Sequence, residues 1–227
     1  MIDATNVPGA PGWWDGIRSI PAGRWGLLLA VHAVAAFLAS AVYLGQSFAA
    51  ALLLGGLVAA GAWYAVLRIL RPGSEAPPAP GRLPLLWAWL VLLDLPGLLD
   101  ALRDLDGVTV SAQLRALASL VDLGLRYLFA LLPVVLLLEG RSPLRAVRLL
   151  HRSRRTVVPV AAVVVLGFVA EQVFQYVLFA STLDAAPGEF APQLTGTLLF
   201  AAVRGALTTA TLYVTYRLAT AEEPQPV

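Results

Sequence analysis

The chain has 227 residues, 59% of them hydrophobic and only 13% charged, with a mean hydropathy of +0.76. A soluble domain carries about 25% charged residues, so this composition excludes an ordinary water-soluble globule. The formal net charge is +2, all 16 basic residues are arginine, and the absence of cysteine excludes disulfides, thiolate metal sites and thiol catalysis.

Residues 1–25 form a polar, turn-rich arm that carries Gly12-Trp13-Trp14-Asp15, and no cleavable leader is expected in it. Six apolar segments follow, at 26–44, 48–68, 84–102, 116–138, 157–180 and 194–217. Each is close to the roughly 20 residues that a helix needs to cross the hydrocarbon core. The expected fold is therefore all-α, a polytopic membrane domain over 26–219 with six transmembrane helices and a short tail at 220–227.

The connections alternate in charge. Arg18 and Arg24 precede the first span, whereas Gly45-Gln46-Ser47 is uncharged. Arg68, Arg71 and Arg82 flank the second connection, and Arg103 and Arg115 in the third face Asp104 and Asp106. The fourth holds the densest run, Arg141, Arg145, Arg148, Arg152, Arg154 and Arg155; the fifth has Asp184 and Glu189 without arginine, and Arg217 closes the last span. By the positive-inside rule both termini are cytoplasmic. The six tryptophans (13, 14, 25, 63, 87 and 89) fall near the ends assigned to that side, as expected for an interfacial belt. Lysine-free text rich in Ala, Leu, Arg and Gly is associated with GC-rich bacteria, which makes the inner membrane the expected location.

Ser142-Pro143 starts a short basic helix between spans four and five, with serine as N-cap and proline at the first position. Arg141, Arg145, Arg148, Arg152 and Arg155 recur every three or four residues on one stripe, with Ala146, Val147, Leu149 and Leu150 largely opposite. Such a helix suits an anionic lipid surface, where each arginine adds about 1 kcal/mol. The same charges also serve as topology signals without any binding role. The arginines imply lipid headgroups as partners, and no nucleic-acid motif accompanies them.

Charges inside the spans are the candidate working residues: Asp94 and Asp100, Asp122 and Arg126, Glu171, and Arg204. A lone charge at mid-bilayer costs about 2.5–3.5 kcal/mol or more, so these groups are expected to face inward and pair. Asp122 and Arg126 are four apart and share a helix face. At about 1.5 Å per residue, Glu171 and Arg204 lie at the same depth, roughly 20 Å from the arginine-rich face, and Asp94 comes near the level of Arg126. The spacing thus predicts one cluster of Asp94, Asp122 and Arg126, and a second or adjoining pair of Glu171 and Arg204. Such clusters serve as solute or proton pathways or as glue between helices. Pro96-Gly97 predicts a kink or break in the third span.

His32 and His151 lie far apart in the sequence and make no haem or zinc site, and no metal or other cofactor is implied. Gly56 with Ala60, and Ala201 with Gly205, have the four-residue spacing that permits close helix approach. There is no phosphate-cradling glycine loop, Gly-x-Ser-x-Gly elbow or His-Glu-x-x-His motif. Glu171-Gln172 lacks the second glutamate, the arginine and the histidine motifs of CAAX-type intramembrane proteases.

The run from Leu131 through Pro133 to Glu139-Gly140, then Ser142-Pro143-Leu144-Arg145-Ala146 and Arg152-Ser153-Arg154-Arg155, resembles the bacterial glycerophosphoryl diester phosphodiesterase membrane-domain family. The resemblance spans about residues 128–180. It implies a six-span fold and a membrane location, without the phosphodiesterase domain sometimes fused to that family. The expected function is non-enzymatic: an accessory or scaffold subunit that contacts lipid and a membrane protein partner. The alternative is a lipid or small-solute transporter that uses the Asp/Arg cluster.

Overall fold

The structure, a computed structural model, describes residues 12–45, 48–71, 75, 77–95, 111–182 and 190–222. The expectations for Pro96-Gly97, Asp100, the charged stretch from Arg103 to Asp106, and Asp184 with Glu189 lie outside the described residues. Among the described residues every regular element is helical: α1 (Trp13–Arg18), α2 (Ala22–Gly45), α3 (Phe48–Leu70), α4 (Leu83–Leu93), α5 (Ala112–Leu128), α6 (Leu132–Glu139), α7 (Pro143–Leu150), α8 (Arg154–Thr182) and α9 (Phe190–Ala221).

Among the described residues, five stretches are long and apolar enough to cross a membrane: Ala22–Val42, Ala50–Leu70, Ala116–Glu139, Arg154–Phe174 and Gln193–Ala221. The third expected span corresponds to α4, whose 11 residues reach about 16 Å at the helical rise and do not cross alone. Large apolar side chains point outward along these helices, Leu120, Leu166 and Leu199 among them. In water they would form adhesive patches, whereas against acyl chains they are matched to their surroundings.

The fourth expected span is interrupted. Phe129 to Leu131 form a turn between α5 and α6, just before Pro133. Proline has no N–H to give to the carbonyl four residues back, and its ring crowds that carbonyl. Beyond the break, Leu131 to Leu137 are all buried. The short helix α6 is thus a central apolar peg, contacted by α3, α4, α7 and α9.

Small residues set several helix approaches. A side chain at Gly56 would run into Trp87 and Val91 of α4. The absence of one lets Trp87 Nε1 donate to the Leu53 carbonyl across the α3–α4 contact, at 2.8 Å. Trp89 stacks on Phe129 with ring centroids 5.9 Å apart. Trp25, Trp63, Trp87 and Trp89 are partly buried and pack against the core.

One end of the bundle collects the arginines. Arg24 at the start of α2 donates to the Leu70 carbonyl at the end of α3, at 2.9 Å. Arg152 donates to the Glu222 carbonyl beyond α9, at 2.7 Å. Glu75, in the α3–α4 connection, accepts from Arg71 at 3.0 Å and also from Arg217 of α9. Burial alone would raise the Glu75 carboxyl, but the hydrogen bonds and charges of Arg217 and Arg71 outweigh it and hold the group below its ordinary range. At the same end α1 lies on α9, with Gly16 against Val214.

Gly140 ends α6 in the left-handed conformation, with φ of 68°. A Cβ there would meet the Arg82 guanidinium. That guanidinium donates to the Leu136 and Leu137 carbonyls at 3.3 and 3.2 Å, which also accept from the Gly140 and Ala79 N–H groups. Gly140→Ala should therefore destabilise the fold by about 1–2 kcal/mol from the backbone alone, and more as Arg82 is displaced. Gly196→Ala, where an added Cβ meets nothing within 4 Å, should not destabilise. Reversible detergent unfolding of both variants measures the difference; equal stabilities would refute this account of the turn.

Candidate functional site

A cavity of about 300 Å³ lies within the bundle, and its walls include Asp94, Arg126, Glu171, Arg204, His32 and Trp63. Each polar group arrives by a local rule. Asp94 is the C-cap residue of α4, its N–H bonded to the Leu90 carbonyl at 3.1 Å. Asp122 and Arg126 are one helical turn apart on α5, so their side chains meet before any tertiary contact forms. Glu171 and Arg204 come from α8 and α9, which pack along each other.

The charges form two pairings around the cavity. Arg126 Nε donates to Asp122 Oδ2 at 2.8 Å, and its Nη2 donates to Asp94 Oδ1 at 3.4 Å. Arg204 donates to Glu171. The Arg204 guanidinium also lies 5.8 Å from the Phe200 ring centroid, and Phe200 stacks face to face on Phe174 at 4.4 Å. Side-chain exposure is 49% for Asp94, 51% for Arg126, 32% for Glu171 and 33% for Arg204, so the pairs are not sealed in apolar packing. Asp122 is the more enclosed partner at 17%, and its Oδ1 is buried without a hydrogen bond.

His32 joins this site although nothing in its sequence surroundings marked it. Its Nε2 lies 3.2 Å from Thr209 Oγ1, and the Thr209 hydroxyl bonds the Gly205 carbonyl at 2.9 Å. With the hydroxyl proton used on that carbonyl, the imidazole must donate, which puts its proton on Nε2. A side chain at Gly205 would overlap the imidazole ring. The one available signal was the small-residue spacing of Ala201 and Gly205, which marks where α9 can receive a bulky neighbour but does not say which helix supplies it.

The basic segment forms the expected helix, α7, with Ala146, Leu149 and Leu150 buried. Its arginines divide between protein and solvent. Arg145 Nε donates to Glu139 Oε2 at 3.1 Å, Arg141 lies 3.7 Å from the same oxygen, and Arg152 bonds the Glu222 carbonyl. Arg155 is also engaged, while Arg148 is exposed. Glu139, where α6 ends, is the nearest anion and draws the first turn of the stripe back onto the protein.

No family model, curated protein or solved structure matches this chain. The site is therefore interpreted from its own geometry.

Removing one member of an ion pair at membrane depth strands the other charge, at a cost of about 2.5–3.5 kcal/mol. Glu171→Arg and Arg204→Glu should each sharply lower the yield of folded protein from membranes. The double reversal should restore most of it, as read by monodispersity on size exclusion. A double variant no better than either single would contradict the pairing.

Proposed function

We propose that this chain is a non-enzymatic six-span protein of the bacterial inner membrane that binds and moves a small solute or a lipid headgroup through the charged cavity. The observation that carries this reading is the opening of both ion pairs onto one cavity, with four charged side chains a third to a half exposed. Interhelical glue needs pairing but gains nothing from a void beside the charges. A void lined by charges is instead the usual form of a binding site at membrane depth.

What supports six crossings is the gathering of helix ends. The starts of α2 and α8 and the ends of α3, α6 and α9 all join the arginine-rich end. Arg82, just before α4, is bonded there as well. α2, α4 and α8 thus start at this end, and α3, α6 and α9 return to it. The likeness of residues 128–180 to the phosphodiesterase membrane-domain family agrees with the same count. The concentration of arginine at this end favours a cytoplasmic position for both termini, and Arg148 with Arg141 offers charge to anionic headgroups.

An accessory or scaffold subunit bound to a membrane partner is the second reading. It is favoured by the paired state of all five charges, since glue requires nothing else.

The chain has no cysteine, so single cysteines report position cleanly. Gly167→Cys lines the cavity, and Leu199→Cys faces outward. In nanodiscs, a water-soluble cationic methanethiosulfonate should label the first at least about ten times faster, since a thiol reacts as the thiolate and needs water nearby. Equal, negligible labelling of both would mean a dry interior and favour the scaffold reading.

A further inference from the structure

Charge and wall chemistry narrow what the cavity accepts. Among the described residues, the three carboxylates of Asp94, Asp122 and Glu171 meet only the two guanidiniums of Arg126 and Arg204. His32 is uncharged at pH values well above the ordinary imidazole value of about 6.5. One negative charge is therefore left over, in a setting where uncompensated charge is strongly disfavoured.

Hydrogen-bond acceptors also remain open on the wall. Arg126 is held between two carboxylates, and Arg204 lies between Glu171 and the Phe200 ring. Both guanidiniums are thus already charge-compensated, although each keeps further N–H groups. Asp94 and Glu171 each use one carboxylate oxygen within the described residues, which leaves the other to accept from a ligand.

Trp63, Phe129 and Phe168 supply aromatic wall to the same space. Aromatic faces attract cations, and alkylated ammonium groups most characteristically. The volume of about 300 Å³ lies at the small end of ligand pockets, which suits one small organic ion and not a whole phospholipid.

We propose that the cavity binds a small organic monocation, an ammonium group with an apolar flank, between the carboxylates of Asp94 and Glu171 and the aromatic wall. This assignment rests on reading the cavity as a solute site. It names the class of solute and excludes anionic headgroups as the preferred ligand.

The test uses the full chain in nanodiscs, with empty nanodiscs as the blank, and equilibrium dialysis of benzyltrimethylammonium against the similarly sized anion benzylsulfonate. The cation should bind at least tenfold more tightly. Asp94→Asn, which removes the surplus charge, should abolish that preference. Asp94→Glu, which keeps the carboxylate, should retain it, so the assignment does not depend on one substitution folding well. Equal or tighter binding of the anion, or a preference that survives in well-folded Asp94→Asn, would overturn the cation assignment and leave the solute site standing. If neither probe binds while Gly167→Cys still labels, the cation site alone fails. If neither binds and the thiol is also inert, the solute reading fails with it.

Discussion

An ion in hydrocarbon has to find a counter-ion or water, and that requirement organises the middle of this bundle. At an effective dielectric near 20, opposite charges about 4 Å apart attract by about 4 kcal/mol, which offsets much of the roughly 2.5–3.5 kcal/mol that each costs to insert. Arg126 ties α5 to the end of α4 through Asp94, and Arg204 ties α9 to α8 through Glu171. Because both ties border one cavity, satisfying the charges and forming a polar chamber are the same structural event. Helices that each look self-sufficient in lipid are thereby given particular neighbours.

The arginine-rich end supplies the rigid frame for that chamber. The buried peg α6 is stopped by Gly140, and its terminal carbonyls are taken up by Arg82. Glu75 and Glu139 each draw arginines from two places in the chain, so the loops at this end are bound to the helix termini. The break at Phe129 to Leu131 brings Phe129, Ala130 and Pro133 into the cavity wall. An uninterrupted helix would continue in one direction and could not present that turn. The proline that weakens the fourth span is therefore what shapes one side of the site.

Much of this was legible in the sequence wherever the rule was local. The four-residue spacing of Asp122 and Arg126 is enough to predict their contact, and helical rise brought Glu171 level with Arg204. What the sequence did not disclose depended on which non-adjacent helices meet. His32 looked solitary because Gly205 and Thr209 are on the last helix, far along the chain. Arg145 read as lipid-facing because its stripe was judged by spacing alone, without the carboxylate of Glu139 at the end of the preceding helix. The tryptophans' positions in the sequence do not reveal that Gly56 leaves room for Trp87 at the α3–α4 contact. The interruption at Pro133 could have been anticipated from proline chemistry, but an unbroken run of apolar residues masked it.

The central claim is that both guanidiniums at membrane depth face water in a shared chamber. The direct measurement is magic-angle-spinning NMR of the arginine-labelled protein in bilayers, recording polarisation transfer from water to each guanidinium. Arg126 and Arg204 signals are assigned by their loss in Arg126→Gln and Arg204→Gln. The account predicts transfer at both sites as fast as at the exposed Arg148. Slow transfer at both, as expected of ion pairs sealed in dry packing, would contradict it.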